Sequence, residues 1–233
     1  MLLAVDIGNT NINYALIDKK GKIRRPRRSD LRGQEIDEII IVSVAPKTLR
    51  KVKRDLRRRF NKVRISVVGR DVKVPLKCVY NKRQIGQDRL ITASAAASLY
   101  GLPILIIDFG TAVTFDVVSG KRVYLGGLIL PGVKMSLESL SERTAMLPKT
   151  YLKKTRSFIG KDTSSSIRSG MLYGYGALCE GLIKLFRKRV GKSVKVVATG
   201  GDAPLIAKYA PSMKNVDLDL SLKGLYLLSR KKA

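Results

Sequence analysis

DIGNTN, residues 6–11, follows directly on the apolar run MLLAV, residues 1–5. A buried strand here gives way to an acid, a glycine and three small polar residues. Alone, an Asp-x-Gly turn marks many ordinary turns. DFGTAVT, residues 108–114, repeats the phrase after a second apolar run, so the chain reads as a duplicated strand–turn–strand unit. A glycine at the tip of such a turn exposes consecutive backbone N–H groups, and hydroxyl and amide side chains beside them complete a phosphate cradle. An acid just before the turn can hold Mg²⁺, directly or through water, against those phosphates. Two such hairpins, one per domain, suit the grip of a nucleoside triphosphate from opposite sides.

The rest of the chain supports an α/β pattern. LLAVDIG and INYALID read as strands, and DKKG turns the second into KIRRP. EIIIVSVA is another apolar strand. PKTLRKVKRDLRRRF follows as an amphipathic helix, with Leu49, Val52, Leu56 and Phe60 on its apolar face, Pro46 near its start and a basic outer face. VRISVVG is a strand, and DRLITASAAASLYG an Ala-rich helix stopped by Gly101. PILIIDFG then restarts the series, followed by AVTFDVVSGKRVYLGGLIL as a hairpin through SGK. GVKMSLESLSERTAML and SSSIRSGMLYGYGALCEGLIKLFRKRV predict helices, VKVVATGG a strand entering a glycine turn, and LKGLYLLSRK a closing helix. KTYLKKTRSFIGKDTSSS is the longest irregular stretch, and long ordered loops are often functional. The expected domains are residues 1–103 and 104–233, with the last helix free to pack back on the first domain.

Composition narrows the chemistry. With 233 residues and 45% hydrophobic content the chain can build a proper core. No apolar run approaches the roughly 20 residues of a membrane span, and Asp6 interrupts the only N-terminal apolar stretch, so a cytoplasmic protein is expected. The chain has no His, and its two cysteines, Cys78 and Cys179, lie far apart. Common Cys/His zinc sites and His-based triads are therefore excluded, and both cysteines read as reduced thiols. Lys and Arg total 46 against 18 Asp and Glu, a formal charge of +28, which attracts polyanions. The basic residues are spread over many segments and aromatics are scarce, which argues against a dedicated nucleic-acid reader.

Taken together, DIGNTN, GQDR (86–89), DFGTAVTFDVV (108–118), YLGGLILPG (124–132), IGKDTSSSIRSG (159–170) and ATGGDAPLI (198–206) resemble type III pantothenate kinase, in order and spacing across nearly the whole chain. The duplicated turns plus TGG at 199–201 resemble the wider actin/Hsp70/sugar-kinase superfamily. The resemblance implies an α/β fold of two ribonuclease-H-like (actin-like ATPase) domains, with mixed sheets flanked by helices and ATP between them. It implies ATP-dependent phosphorylation of pantothenate, the first step of coenzyme A synthesis, by a homodimer using Mg²⁺ and a monovalent cation, K⁺ or NH₄⁺. By motif, Asp88 resembles the general base. Gly86, Gln87, Asp88 and Arg89 match the pantothenate contacts, Tyr80 a substrate-pocket tyrosine, and Thr163 a substrate contact near the dimer interface. Asp6, Ile7, Gly8, Asn9, Thr10, Asn11, Ile12 and Asn13 match the first ATP turn, Thr111 an ATP contact, and Gly200 and Gly201 the adenosine motif. Asp108 resembles the monovalent-cation ligand, and Asp6 faces Mg²⁺, through water or directly.

Residue chemistry agrees with these roles. Phosphoryl transfer to an alcohol needs positioning, charge neutralisation and a carboxylate within reach of the hydroxyl proton. Asp88 falls in the first turn of a helix, where the dipole favours its ionised form. Arg89 can hold Asp88 or meet a substrate carboxylate as a planar fork; the blander alternative is a capping acid beside a surface arginine. Gly126, Gly127, Pro131 and Gly132 either shape a connection or let backbone approach substrate. SGMLYGYGALCEG reads as a close-packed helix, at a dimer seam or in the core. Asp116 reads as a strand residue near the site, with a catalytic acid as the alternative, and Glu138 and Glu142 as solvated helix charges. The chain is shorter than the family's usual length around RRSDLRGQEIDEI, where a helix would be expected. Two rival readings remain: a catalytically silent regulatory relative that binds nucleic acid, and a superfamily kinase for another alcohol.

Overall fold

The structure, a computed structural model, describes residues 1–31, 33–81 and 84–230. Arg32, Lys82 and Arg83 and the terminal residues 231–233 lie outside them, and with them parts of the RRSDLRGQEIDEI, VYNKRQIGQDR and SRKK stretches. The chain divides into two units: Met1–Leu99 with the segment from Asp219 onward, and Tyr100–Leu218.

The first unit contains β1 (Leu2–Ile7), β2 (Ile12–Ile17), β3 (Ile23–Arg24), a 3-10 turn at Arg28–Leu31, β4 (Glu38–Ser43), α1 (Pro46–Arg59), β5 (Arg64–Val67), β6 (Lys77–Cys78) and α2 (Gln87–Leu99). The second contains β7 (Ile104–Phe109), β8 (Ala112–Val118), β9 (Val123–Pro131), α3 (Val133–Glu142), α4 (Thr163–Val190), β10 (Lys195–Thr199), α5 (Ala203–Ile206) and β11 (Asn215–Val216). The closing helix α6 (Leu220–Arg230) belongs to the first unit.

In the first unit the strand order is β3-β2-β1-β4-β5, with β1 antiparallel to β2 and parallel to β4. Side chains alternate between the faces of a strand, and the core divides accordingly. Leu2, Ala4, Ile17, Ile40 and Val42 pack with Ile91 of α2 and Leu222, Leu225 and Leu228 of α6. Leu3, Val5, Ile7, Leu16, Ile39 and Ile41 pack with Val52 and Leu56 of α1. The two helix layers therefore cover opposite faces of one sheet.

Within the second unit the order is β11-β10-β7-β8-β9, with β7 antiparallel to β8 and parallel to β10. β7 thus occupies the place that β1 occupies in the first unit, so the sequence echo is a topological repeat. Leu105, Ile107, Phe109, Val113 and Phe115 pack against Leu172, Cys179 and Ile183 of α4.

Several expectations needed adjustment. The helix expected over residues 132–147 stops at Glu142. There the Ser141 hydroxyl donates to the Glu138 carbonyl at 3.0 Å and the Thr144 hydroxyl to Leu140 at 2.6 Å, the local side-chain bonding that competes with helix continuation. The two-residue strands β6 and β11 are too short for any period to announce. Among the described residues no helix is long and apolar enough to cross a membrane. Both cysteines are free; Cys179 is buried and burial pushes its thiol up to about 12, while Cys78 is half-buried.

Candidate active site

Two clusters of motif residues form, one in each unit. In the first, Asp6 is the penultimate residue of β1, opposite Asn13 on β2 and Val42 on β4. The alternation that turns Leu2 and Ala4 toward α2 and α6 turns Asp6 the same way. Ser221, in the first turn of α6, donates its hydroxyl to Asp6 Oδ2 at 2.8 Å. Burial raises the Asp6 pKa, the Ser221 hydrogen bond lowers it, and the neighbouring Asp88 charge raises it again, with a net rise. The Asp88 carboxylate of the same unit therefore lies close enough to act on Asp6 electrostatically.

Asp88 sits in the first turn of α2, half-buried, and its Oδ1 accepts from the Arg89 N–H at 2.8 Å. A Cβ on Gly86 would lie 2.3 Å from that same oxygen. The glycine of GQDR thus clears the space that the carboxylate fills. Gly69 does the same for Gln87: its φ is +84 and an added Cβ would stand 2.6 Å from the Gln87 side chain. Arg89 and Tyr80 are half-buried, and the Tyr80 carbonyl accepts from the Cys78 thiol at 3.6 Å.

The first turn differs from expectation in one respect. The Gly8 N–H does not point outward as a free donor; it closes the turn onto the Asn11 carbonyl at 2.9 Å. Ile7 is fully buried, and its carbonyl accepts from Val44 at 3.1 Å. Asn9, Thr10, Asn11, Ile12 and Asn13 are exposed, so the accessible groups of this turn come from residues 9–13.

In the second unit, Asp108 is the penultimate residue of β7, paired with Thr199 at the end of β10. Gly200 follows with φ +89, and a Cβ there would meet Phe109 backbone at 2.5 Å and Asp108 Oδ1 at 2.6 Å. Gly132 packs equally close to the Thr111 carbonyl, at 2.1 Å for an added Cβ. Gly110, like Gly8, spends its N–H on closing its turn, onto Ala112 at 3.1 Å. The fold therefore gathers Asp108, Gly110, Thr111, Gly132 and Gly200. Gly201 is exposed, with open space where a Cβ would stand.

Lys134 Nζ lies 3.4 Å from Asp202, beside this glycine turn. Neither residue was singled out in the sequence; Asp202 stood inside a quoted motif, whereas Lys134 carried no signal. Thr163 is the exposed first residue of α4. It follows the cap residue Asp162, whose carboxylate accepts from the Ser165 N–H at 2.8 Å. Among the described residues no hydrogen bond links Thr163 to the Asp108 cluster.

The two readings of the glycine-rich β9 segment now separate. Gly127 is structural, since a Cβ would lie 1.7 Å from the Phe115 carbonyl, while Gly132 borders the Thr111 turn. Asp116 is buried within the sheet and accepts from the Tyr124 and Thr114 hydroxyls, as befits a strand residue. Among the described residues no group of three or more His, Cys, Asp or Glu could hold a metal. Mg²⁺ in a phosphoryl-transfer site does not need one, because one or two carboxylates, waters and substrate phosphates suffice. Asp6, with one oxygen held by Ser221, fits that donor set.

The comparisons with known proteins converge. A family model described as type III pantothenate kinase matches residues 27–185. The chain is 37% identical to a type III pantothenate kinase of Rhodospirillum rubrum, covering 99% of this chain and 98% of the relative. It is also 37% identical to that of Listeria monocytogenes, covering 99% and 97%. Among solved structures, a proposed Baf family transcriptional activator from Campylobacter jejuni superposes with TM-score 0.63 at 22% identity, covering 99% of this chain and 98% of the other. A proposed 2-dehydro-3-deoxygalactonokinase from Sinorhizobium meliloti gives 0.60 at 13% identity, covering 100% and 99%. These two carry the fold alone: two actin-like α/β domains with mixed sheets flanked by helices. The end-to-end matches carry more, since they run through both clusters described above: the chain belongs to the type III pantothenate kinase family.

Proposed function

We infer that this protein transfers the γ-phosphoryl group of ATP to the primary hydroxyl of pantothenate, giving 4′-phosphopantothenate for coenzyme A synthesis. The observation that carries the reading is Asp88, held half-buried in the first turn of α2, in space that only the glycine at position 86 leaves open. Asp88 accepts the hydroxyl proton as the alcohol oxygen attacks phosphorus. Neighbouring Arg89 offers a planar cation to the substrate carboxylate, and Gln87, Tyr80 and Thr163 complete the substrate contacts. The exposed polar residues 9–13, together with Thr111, Gly200 and Gly201, hold ATP. Asp6 faces Mg²⁺ and Asp108 a monovalent cation; when bound, these ions neutralise charge on the phosphates.

The homodimer implied by the family resemblance belongs to this reading. Leu178, Leu182 and Leu185 of α4 line an open apolar groove, and Leu185 is 57% exposed. Such a surface suits burial against a second copy. Action in the cytoplasm, where ATP is made available, completes the proposal.

The test is a coupled assay with ATP and pantothenate, with and without K⁺ or NH₄⁺. Turnover is expected in the wild type and its near-complete loss in Asp88→Asn. A silent wild type, or an Asp88→Asn variant at full rate, would overturn the reading. Competition by sugar alcohols against pantothenate separates the kinase of another alcohol.

A further inference from the structure

Dispersal of the basic residues along the sequence argued against a nucleic-acid surface, but the fold gathers some of them. Arg50, Lys53, Arg54, Arg57 and Arg58 of α1, with Arg70, line one open groove of 640 Å³. Arg50, Arg54 and Arg58 recur every four residues, about 6 Å apart along the helix axis. Val52 and Leu56 occupy the buried side of the same helix. The one acid of α1, Asp55, is taken by Arg59 at 3.1 Å. Among the described residues no salt bridge reaches Arg50, Lys53, Arg54, Arg57 or Arg58.

An ordinary explanation covers only part of this. Cations in the last turn complement the helix dipole, which accounts for Arg57, Arg58 and Arg59. It does not account for Arg50, Lys53 and Arg54, one to two turns earlier. Crowding there has a cost: desolvation first, then the Arg70 and Arg57 charges, lower the Lys53 pKa. Arg70 is paired with Asp71 at 3.0 Å, and the Asp71 charge partly offsets the crowding at Lys53; the row of Arg50, Arg54, Arg57 and Arg58 keeps an excess of positive charge on one face that a polyanion would relieve.

We propose that the outer face of α1, with Arg70, docks the phosphate backbone of duplex nucleic acid without reading its sequence. The chemistry of the lining selects this occupant. Among the described residues no aromatic side chain lines the groove, so it has no platform for the unstacked bases of a single strand. No acceptor or apolar pocket lines it to recognise a nucleobase. A membrane-surface helix would need its apolar face outward, and that face of α1 is buried in the core. What remains is a row of guanidinium groups suited to phosphates, the sequence-independent part of duplex binding. Because α1 covers the sheet face opposite to α2 and α6, the groove is separate from Asp6 and Asp88.

The test is fluorescence anisotropy of a labelled random-sequence DNA duplex against the full chain, titrated at salt from about 50 to 200 mM. For about five phosphate contacts, log K should fall with log salt at a slope of about −4.5. Arg50→Gln/Arg54→Gln/Arg58→Gln should flatten that slope by about 2.7 and weaken binding tenfold or more, with kinase turnover and thermal melting unchanged. Lys121→Gln/Lys153→Gln/Lys154→Gln removes the same charge from exposed positions of the second unit and should leave the slope nearly intact. The proposal is overturned if the wild type fails to bind duplex, or if both triple variants weaken binding equally, since the net charge alone would then be responsible. Tighter binding to phosphatidylserine vesicles than to duplex would overturn it in favour of a membrane surface.

Discussion

Ser221→Ala isolates one contact in the proposed site. The Ser221 hydroxyl donates to Asp6 at 2.8 Å across 215 residues of sequence. The helix that carries it stays in place without it. Leu222, Leu225 and Leu228 anchor α6 in the core, Arg25 pairs with Asp219 at 2.6 Å, and the Tyr226 hydroxyl donates to the Lys19 carbonyl at 3.0 Å. The substitution therefore removes a hydrogen bond to a carboxylate and little else. Such a bond contributes about 1.5–3 kcal/mol when the acceptor is charged and about 0.5–1.5 kcal/mol when it is neutral. The sign follows from protonation. Burial already raises the Asp6 pKa and Ser221 opposes that rise, so its loss raises the pKa further. The variant should be less stable by about 1.5–3 kcal/mol where Asp6 is ionised. The deficit should shrink as the pH falls and the carboxyl becomes neutral. Urea denaturation at neutral and at acid pH measures both limits. In the kinase assay the acid limb of kcat/KM should move to higher pH, because a larger fraction of Asp6 is protonated, while Ser221→Thr restores the wild-type profile. Equal stabilities at neutral pH together with an unmoved acid limb would refute the reasoning.

Other perturbations separate function from scaffold. Gly86→Ala puts a Cβ 2.3 Å from a side-chain oxygen of Asp88, which can rotate away; turnover should fall at least tenfold with little change in melting temperature. Gly200→Ala puts a Cβ 2.5 Å from Phe109 backbone at φ +89, where nothing can rotate away. It should cost more than about 2 kcal/mol in denaturant titration, as strain at a special backbone position does. A thiol reagent should modify Cys78 in the native protein and reach Cys179 only on unfolding, because burial holds that thiol near 12. Asp71, held down to about 2 chiefly by Arg70, stabilises the fold above the ordinary carboxylate range and loses that contribution as the pH falls toward 2. The pair is partly exposed and screened, so Asp71→Asn should cost under about 1 kcal/mol at neutral pH, and less in high salt.

Most strands were legible because local order and tertiary order agree in them. The alternation of β2 and the apolar runs of β1, β4, β7 and β10 survive in the folded sheets because each is paired on both sides. Asp88 was legible for a related reason: a helix first turn is a local feature. Ser221 was not, because nothing within its own helix distinguishes it from a surface serine; its role comes from the sheet face that Asp6 occupies. The basic groove lies between these cases. Arg50, Arg54 and Arg58 carry helical spacing in the sequence, but Arg70 joins them only once β5 has brought the chain back beside α1. The early end of α3 was missed because serines at the end of an amphipathic pattern look like its polar face until they bond to backbone.

The two Asp-x-Gly turns share a topology but not a means of support, and this difference bears on how a duplicated element specialises. In both units the acid is the penultimate residue of a strand between an antiparallel and a parallel neighbour, and the glycine two residues later spends its N–H inside the turn. Beyond that the chain diverges. Asp6 is buttressed by a hydroxyl from a helix that arrives from the far end of the sequence. Asp108 is enclosed by backbone, with Gly200 and Gly110 as its near neighbours. A side-chain buttress tunes a protonation state and can be replaced by another donor. A close backbone neighbour fixes position, and at Gly200 it leaves no room for an added atom. On the proposed function, the first arrangement would suit an acid whose charge responds to phosphates and Mg²⁺, and the second one that holds a cation at a set place.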